Sequence, residues 1–247
     1  MTSALGRALG VWGRLLEVLL FPSSCELCRG FLEKRGERVI CRDCREKLQA
    51  ADSAFCLCCG RFFEGAGDPH FCGACLEKKS PLAKHRSCAR YQGTVKDVIL
   101  LYKYRGFRIL GKTLADFMIQ ARGGEDDLWA DVEAIVPVPL HPKKERKRGF
   151  NQARLLAHCL ARHKGIALAD RRLVKVKNVP PQTSLDARDR EANVKGAFRV
   201  RKARELKGRV VLLVDDVYTT GSTLWECAAV LKAAGVKEVR AITLARA

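Results

Sequence analysis

The sequence contains no continuous apolar run approaching the roughly 20 residues that a helical membrane span requires, which argues against an integral membrane protein. It is equally short of an export signal, because Arg7, Arg14 and Glu17 interrupt the apolar residues at the start of the chain. Without export, disulfides are not expected, and the cysteines are read as reduced thiols in a cytoplasmic protein. Acidic side chains are scarce: 27 Asp and Glu face 46 Lys and Arg, leaving a formal charge of +19. No Gly-x-x-x-x-Gly-Lys-Ser/Thr motif occurs, which argues against a P-loop nucleotidase.

What is present is enough for one sizeable domain and a smaller one, with 247 residues of which 47% are hydrophobic. Leu5, Leu9, Trp12, Leu15, Leu16 and Leu19 recur at helical spacing, so residues 1–22 are expected to form an amphipathic helix that packs on the protein. Membrane-peripheral docking of that helix is the alternative. Nine of the twelve cysteines lie between Cys25 and Cys75. Eight of them form four Cys-x-x-Cys pairs: Cys25 and Cys28, Cys41 and Cys44, Cys56 and Cys59, Cys72 and Cys75. Shifted by 31 residues, the first two pairs fall on the last two, and Cys41 to Lys47 shares its Glu-Lys ending with Cys72 to Lys78. Two Cys-x-x-Cys turns complete a tetrahedral thiolate shell around one Zn²⁺, so a double zinc ribbon is expected over 23–80, holding about two structural zinc ions. Sequential pairing within each repeat is preferred, although a cross-braced arrangement uses the same residues. Cys58 and His70 read as bystanders.

From about His85 the chain changes to alternating strands and helices. Strands are expected at 87–91, 134–138, 173–177, 196–200, 209–215 and 238–244, and helices at 94–104, 110–120, 151–163 and 222–234. The pattern implies an α/β domain over 85–247 with a mostly parallel sheet and helices on both faces. The apolar strand Arg209 to Val214 runs into Asp215 and Asp216 and then into the polar turn Thr219, Thr220, Gly221, Ser222 and Thr223. Ligands of open α/β sheets gather at the carboxyl ends of strands. A helix N-terminus after such a turn offers free N–H groups to an anion, and paired carboxylates suit vicinal ribose hydroxyls and a hydrated Mg²⁺.

This stretch resembles the signature by which type I phosphoribosyltransferases bind phosphoribosyl pyrophosphate (PRPP). Pro137 to Pro142, Lys147 to Gln152, Pro181 to Leu185 with Arg188, Arg190 and Asn193, and the two ribbons together resemble the ComF (ComFC) family of competence-associated proteins. The resemblance implies a type I phosphoribosyltransferase-like fold, a pyrophosphate loop at 137–151 with Arg148 near the anion, and a flap at 178–193. Tyr102 to Gly106 matches a further motif of the family, which implies a phosphate contact for Lys103. A role in DNA uptake and natural competence is implied as well, with a competence helicase as a partner.

Two classes of function follow. An enzyme would transfer the phosphoribosyl group to an acceptor, and a non-catalytic protein would sense PRPP or bind single-stranded DNA. Between His141 and Arg209 there are 21 Lys and Arg against six Asp and Glu, a density that attracts polyanions. Phe62, Phe63, Phe107 and Phe150 are candidates for stacking on bases. Nucleobase salvage stands behind the DNA-linked reading, since salvage has no use for the ribbons or this charge, and no base-recognising hood is legible.

Overall fold

A computed structural model describes residues 24–32, 37–65, 67–77, 80–178 and 194–247. The amphipathic helix expected at 1–22 lies outside them, as does nearly all of the expected flap, residues 179–193. The chain divides into two compact units, residues 1–48 and 49–247.

In the first unit, Cys25, Cys28, Cys41 and Cys44 draw together around the short helix α1 (Arg42–Glu46). The second unit holds the other ribbon, with α2 (Gly73–Glu77), and the α/β domain. That domain contains five parallel strands in the order β1-β7-β6-β2-β3. They are β1 (Lys84–Arg90), β2 (Ala134–Pro137), β3 (Ala167–Leu168), β6 (Val210–Tyr218) and β7 (Glu238–Arg246). The helices are α3 (Gly93–Tyr104), α4 (Leu110–Arg122), α5 (Asp126–Trp129), α6 (Pro142–Arg148), α7 (Gln152–Lys164) and α8 (Ser222–Ala233).

Strand pleating sends alternate side chains to opposite faces. Ala134, Val136, Val211, Leu213, Val239 and Ala241 form one core with Leu224, Cys227, Ala228 and Leu231 of α8. Ile135, Leu212, Val214 and Ile242, also fully buried, alternate with these, and α4 and α7 pack against the same strands. Burial on both faces explains why β6 reads as a continuous apolar run.

Three expectations change. Residues 173–177 and 196–200 do not join the main sheet: β4 (Leu173–Lys175) and β5 (Phe198–Val200) form a separate antiparallel pair. The expected pyrophosphate loop contains a helix, α6, with Pro142 in its first turn, His141 Nδ1 accepting from the Lys143 N–H at 3.3 Å, and Gly149 ending it at φ +84°. None of its residues is buried, so no apolar periodicity marks it; the proline and glycine at its ends are its only signal. The strand expected at 209–215 continues to Tyr218, which places both aspartates on β6 itself.

Strand β2 is cut short by chemistry. Val138 donates to Val214 O at 2.9 Å, and Pro139 has no N–H with which to continue the ladder. Beyond Val214, β6 is paired on its β7 side alone, through Asp215, Val217 and Tyr218. The chain order reverses between β2 and β6, since β2 leads outward to β3 and β6 outward to β7. This is the switch point at which an open parallel sheet leaves a crevice.

Candidate functional site

Asp215 and Asp216 stand at that crevice. Each carboxylate accepts the N–H of the next residue, Asp215 Oδ1 from Asp216 at 2.8 Å and Asp216 Oδ1 from Val217 at 2.6 Å. Lys103, near the end of α3, places Nζ 2.7 Å from Asp216 Oδ1. Burial works against the lysine's charge, but the Asp216 carboxylate outweighs it, so the Lys103 pKa is raised. Asp215 is pushed the other way. Desolvation and the neighbouring Asp216 charge raise its pKa to about 7 against the Asp216 N–H, Lys103 and Lys175.

Lys175 of β4 was not singled out by sequence reasoning. Its pKa is lowered by burial, against an opposing pull from Asp215, and Lys144 of α6 is lowered by burial and by the charges of Lys175 and Arg148. Neither lysine has an acidic partner within ion-pair distance among the described residues. Arg148 donates to Gln152 Oε1 at 2.9 Å, and its guanidinium lies 5.4 Å from the centre of the Tyr104 ring, beside Lys103. Lys144, Lys175 and Arg148 therefore form a group of cations that repel one another, a repulsion that a bound anion would relieve.

The loop Thr219 to Thr223 follows directly. Thr219 and Thr220 are exposed, and Thr220 Oγ1 lies 2.9 Å from Ser222 Oγ. Gly221 adopts φ +84°, and a Cβ there would run into the Tyr218 ring and hydroxyl, so the position is reserved for glycine. The N-cap of α8 is Gly221, which has no side chain to cap it; the Ser222 N–H makes a long contact of 3.5 Å with Thr220 Oγ1, and the first turn has no acidic residue to compete with an anion.

The ribbon cysteines gather as Cys25, Cys28, Cys41, Cys44 and as Cys56, Cys59, Cys72, Cys75, the sulfurs of each set within 4.8 Å of one another. This is the sequential pairing. Cys28 and Cys41 sulfurs are 3.6 Å apart and Cys59 and Cys72 sulfurs 3.8 Å, close to the edge of about 3.8 Å that a tetrahedron with Zn–S of about 2.3 Å requires. Backbone N–H groups of Cys41 and Cys72 point at the sulfurs of Cys25 and Cys56 at 3.4 and 3.3 Å. Against burial, such donors lower the pKa of Cys25 and Cys56 to about 6, whereas burial raises Cys59 to about 11 and Cys44 and Cys75 further still. One thiol in each cluster is thus acidified for metal, and four thiolates need a cation to coexist. Cys58 and His70 belong to neither set. Cys58 reaches Leu82 O at 3.9 Å, and His70 stacks on Phe63 with ring centres 4.1 Å apart.

The second ribbon is bonded to the sheet. His85 Nδ1 lies 2.8 Å from Cys59 O, Arg246 donates to the same carbonyl at 2.7 Å, Arg86 to Leu57 O at 2.9 Å and Arg90 to Phe63 O at 3.0 Å. The Arg246 guanidinium also covers Tyr218 at 4.2 Å, and His85 stacks on that ring at 4.4 Å. Among the aromatic candidates, Phe62 and Phe150 are buried, under the guanidiniums of Arg90 and Arg108.

Comparison with known proteins agrees with this division. Residues 147–247 match the phosphoribosyl transferase domain model and residues 16–76 the double zinc ribbon domain model. The chain is 33% identical to competence protein F of Haemophilus influenzae over 232 residues, 92% of this chain and 98% of that protein. It is 31% identical to the DNA utilization protein YhgH of Escherichia coli K12, over 93% of this chain and 99% of the relative. Competence protein ComFC of Bacillus subtilis is 31% identical over 78% of each chain. Among solved structures, a purine phosphoribosyltransferase from Pyrococcus horikoshii aligns at 19% identity and a TM-score of 0.35, covering 54% of this chain and 82% of that one.

Three measurements follow from the geometry. Metal analysis of the reduced protein should return about two zinc ions per chain, falling to about one when Cys25 and Cys28 are both replaced by Ser. Gly221→Ala should lower stability to denaturant by ~1–2 kcal/mol, through the left-handed backbone and the collision with Tyr218. Asp215 titrates near 7 in the folded chain and near its ordinary, lower value when unfolded, so between those values the folded form alone keeps the proton. Its contribution to stability is therefore lost as pH rises to about 7. Asp215→Asn should raise the melting temperature at pH 8 and leave it little changed at pH 4.

Proposed function

The chain belongs to the ComF family of competence and DNA-utilization proteins, and on that footing we propose that its crevice binds PRPP as the magnesium complex. The observation that carries the proposal is the carboxylate pair at the half-paired end of β6, leading straight into a glycine-hinged hydroxyl loop at the N-terminus of α8. In this reading the backbone N–H groups and hydroxyls of Thr219 to Thr223 hold the 5′-phosphate. Asp215 and Asp216 accept hydrogen bonds from the two ribose hydroxyls. They would also order the water around Mg²⁺, whose chemistry is to neutralise charge on the pyrophosphate.

Lys103 pairs with Asp216 and orients it. Lys144, Lys175 and Arg148 take the pyrophosphate, and the relief of their mutual repulsion supplies affinity. Displacement of pyrophosphate from C1 by an acceptor is the reaction this arrangement would assist, since the cations stabilise the leaving charge where it develops. Calorimetry with PRPP and Mg²⁺ tests the site. The wild type should bind, and the Asp215→Asn, Asp216→Asn double variant should lose at least tenfold in affinity, as expected when charge-assisted hydrogen bonds are removed. Failure of the wild type to bind would sink the reading.

A separate observation favours single-stranded DNA as a second ligand, in keeping with a role in natural transformation beside a competence helicase. A groove of about 770 Å³ runs between α6 and β4, lined by His141, Arg146, Arg154, Arg171, Lys175 and Arg201, with Pro139, Leu140, Leu173 and Val176 among its apolar residues. Arg154 is neutralised by Glu145 and Asp170; Arg146 and Arg201 have no acidic partner among the described residues. Cations over apolar ground suit a phosphate backbone with unstacked bases. Single-strand affinity should fall with log salt at a slope of about −0.7 per phosphate contacted. Arg146→Glu with Arg201→Glu should make that slope shallower, and a slope unchanged by the pair would remove DNA from this groove.

A further inference from the structure

A second cavity, of about 410 Å³, opens on the far side of the phosphate loop, between the second ribbon and the carboxyl ends of β1, β7 and β6. Arg90, Arg246 and Tyr218 lie abreast across those three strands, and the residues that follow on β1 and β6, Tyr91 and Thr219, line the cavity beside Arg90 and Arg246. Arg61 and Phe62 of the ribbon close it from above.

Three guanidiniums converge here, and no Asp or Glu side chain lines the space. Arg90 is held by Phe63 O, Ser53 Oγ and the Phe62 ring, and Arg246 by Cys59 O and the Tyr218 ring, all neutral partners, so their geometry is set while their charge is not cancelled. The Arg61 backbone carbonyl accepts from Cys56 N–H at 2.8 Å, while its exposed side chain makes no ion pair or hydrogen bond among the described residues. Cations held by neutral acceptors are an unfinished electrostatic arrangement, completed by a ligand anion. Tyr91 supplies ring surface, Phe62 lines the space with its ring buried under Arg90, and the exposed Gln92 amide leaves its donors and acceptor open because it does not cap α3.

We propose that this cavity is a binding site for a small planar aromatic carboxylate, seated between the second zinc ribbon and the loop Thr219 to Thr223, with Arg61 and Arg90 gripping its carboxylate and Tyr91 its ring. The proposal rests on the PRPP reading for its significance: a ligand here lies next to Thr219, on the side of the loop opposite the groove of α6, where an acceptor would approach. The ribbon thereby takes the place of a hood built from the sheet's own loops. A flat anion fits the site better than a neutral purine, because a neutral ring would leave three arginines that have no acidic partner among the described residues without a counter-charge.

The test titrates orotate, quinolinate and neutral adenine into the full-length, zinc-loaded protein by calorimetry, with PRPP and Mg²⁺ in parallel. At least one of the two carboxylates should bind, adenine should bind at least tenfold more weakly, and Arg61→Ala should weaken the carboxylate by about tenfold, the loss of one charge-assisted contact. Arg61 is exposed and unpartnered, so the variant should keep the wild-type zinc content and melting transition; Arg61→Lys, which retains charge but not the fork, should recover only part of the affinity. Carboxylate binding without PRPP binding would uphold the cavity and sink the PRPP reading. PRPP binding without carboxylate binding, a preference for adenine, or carboxylate binding indifferent to Arg61 would overturn the cavity.

Discussion

The unequal length of two neighbouring strands governs this molecule. β2 stops where Pro139 can no longer donate, while β6 runs on to Tyr218 with only β7 beside it. A central strand of a parallel sheet is normally sealed on both edges, and a pair of carboxylates on it would be buried without recourse. Here the missing neighbour opens one flank, so Asp215 and Asp216 meet Lys103 on one side and the field of Lys175 on the other. Everything placed around the crevice, from the α6 segment to the hydroxyl loop, occupies room that the truncated β2 leaves.

The second ribbon is tied to that arrangement by an unusual class of contact. Four-cysteine ribbons are too small to bury a core of their own, and this one is joined to β1 and β7 by side chains that donate to its backbone carbonyls. The guanidiniums of Arg90 and Arg246 satisfy ribbon carbonyls with no acidic partner among the described residues, whereas Arg86 does so while also pairing with Glu125 and Asp127. Tyr218 then carries the junction inward, pressed between His85 and Arg246 and fixing the backbone at Gly221 by its bulk. The position of a Cys-x-x-Cys turn and the conformation of the loop Thr219 to Thr223 are thus set by one short chain of contacts.

Much of this was legible in the residues. The Cys-x-x-Cys repeat announced both clusters, the apolar run before Asp215 announced the central strand, and the type I phosphoribosyltransferase-like fold followed from the signature at Asp215 to Thr223 and the surrounding family motifs. Legibility failed where pattern depends on burial: α6 has no buried residue, and β3 is two residues long. It failed again where partners are distant in sequence. Lys175 sits in an alternating segment that any edge strand could contain, and only folding brings it to Asp215, forty residues later. Arg61, Arg90 and Arg246 come from three separated segments, and nothing local marks them as members of one cavity.

The pairing of β1 with β7 has a consequence for how the chain is assembled. Ser87 and Thr243, bonded at 2.8 Å, are 156 residues apart in sequence. The first strand of the α/β domain has no neighbour in the sheet until the last is made, and the second ribbon, which rests on both, has no finished surface to rest on. Local thiolate turns can take up metal while the rest of the chain is still being synthesised, whereas closure of the sheet is a late, long-range event. A chain interrupted before Glu238 would therefore hold its metal and lack its edge, exposing the apolar flank of β6 to any strand that happened to pass.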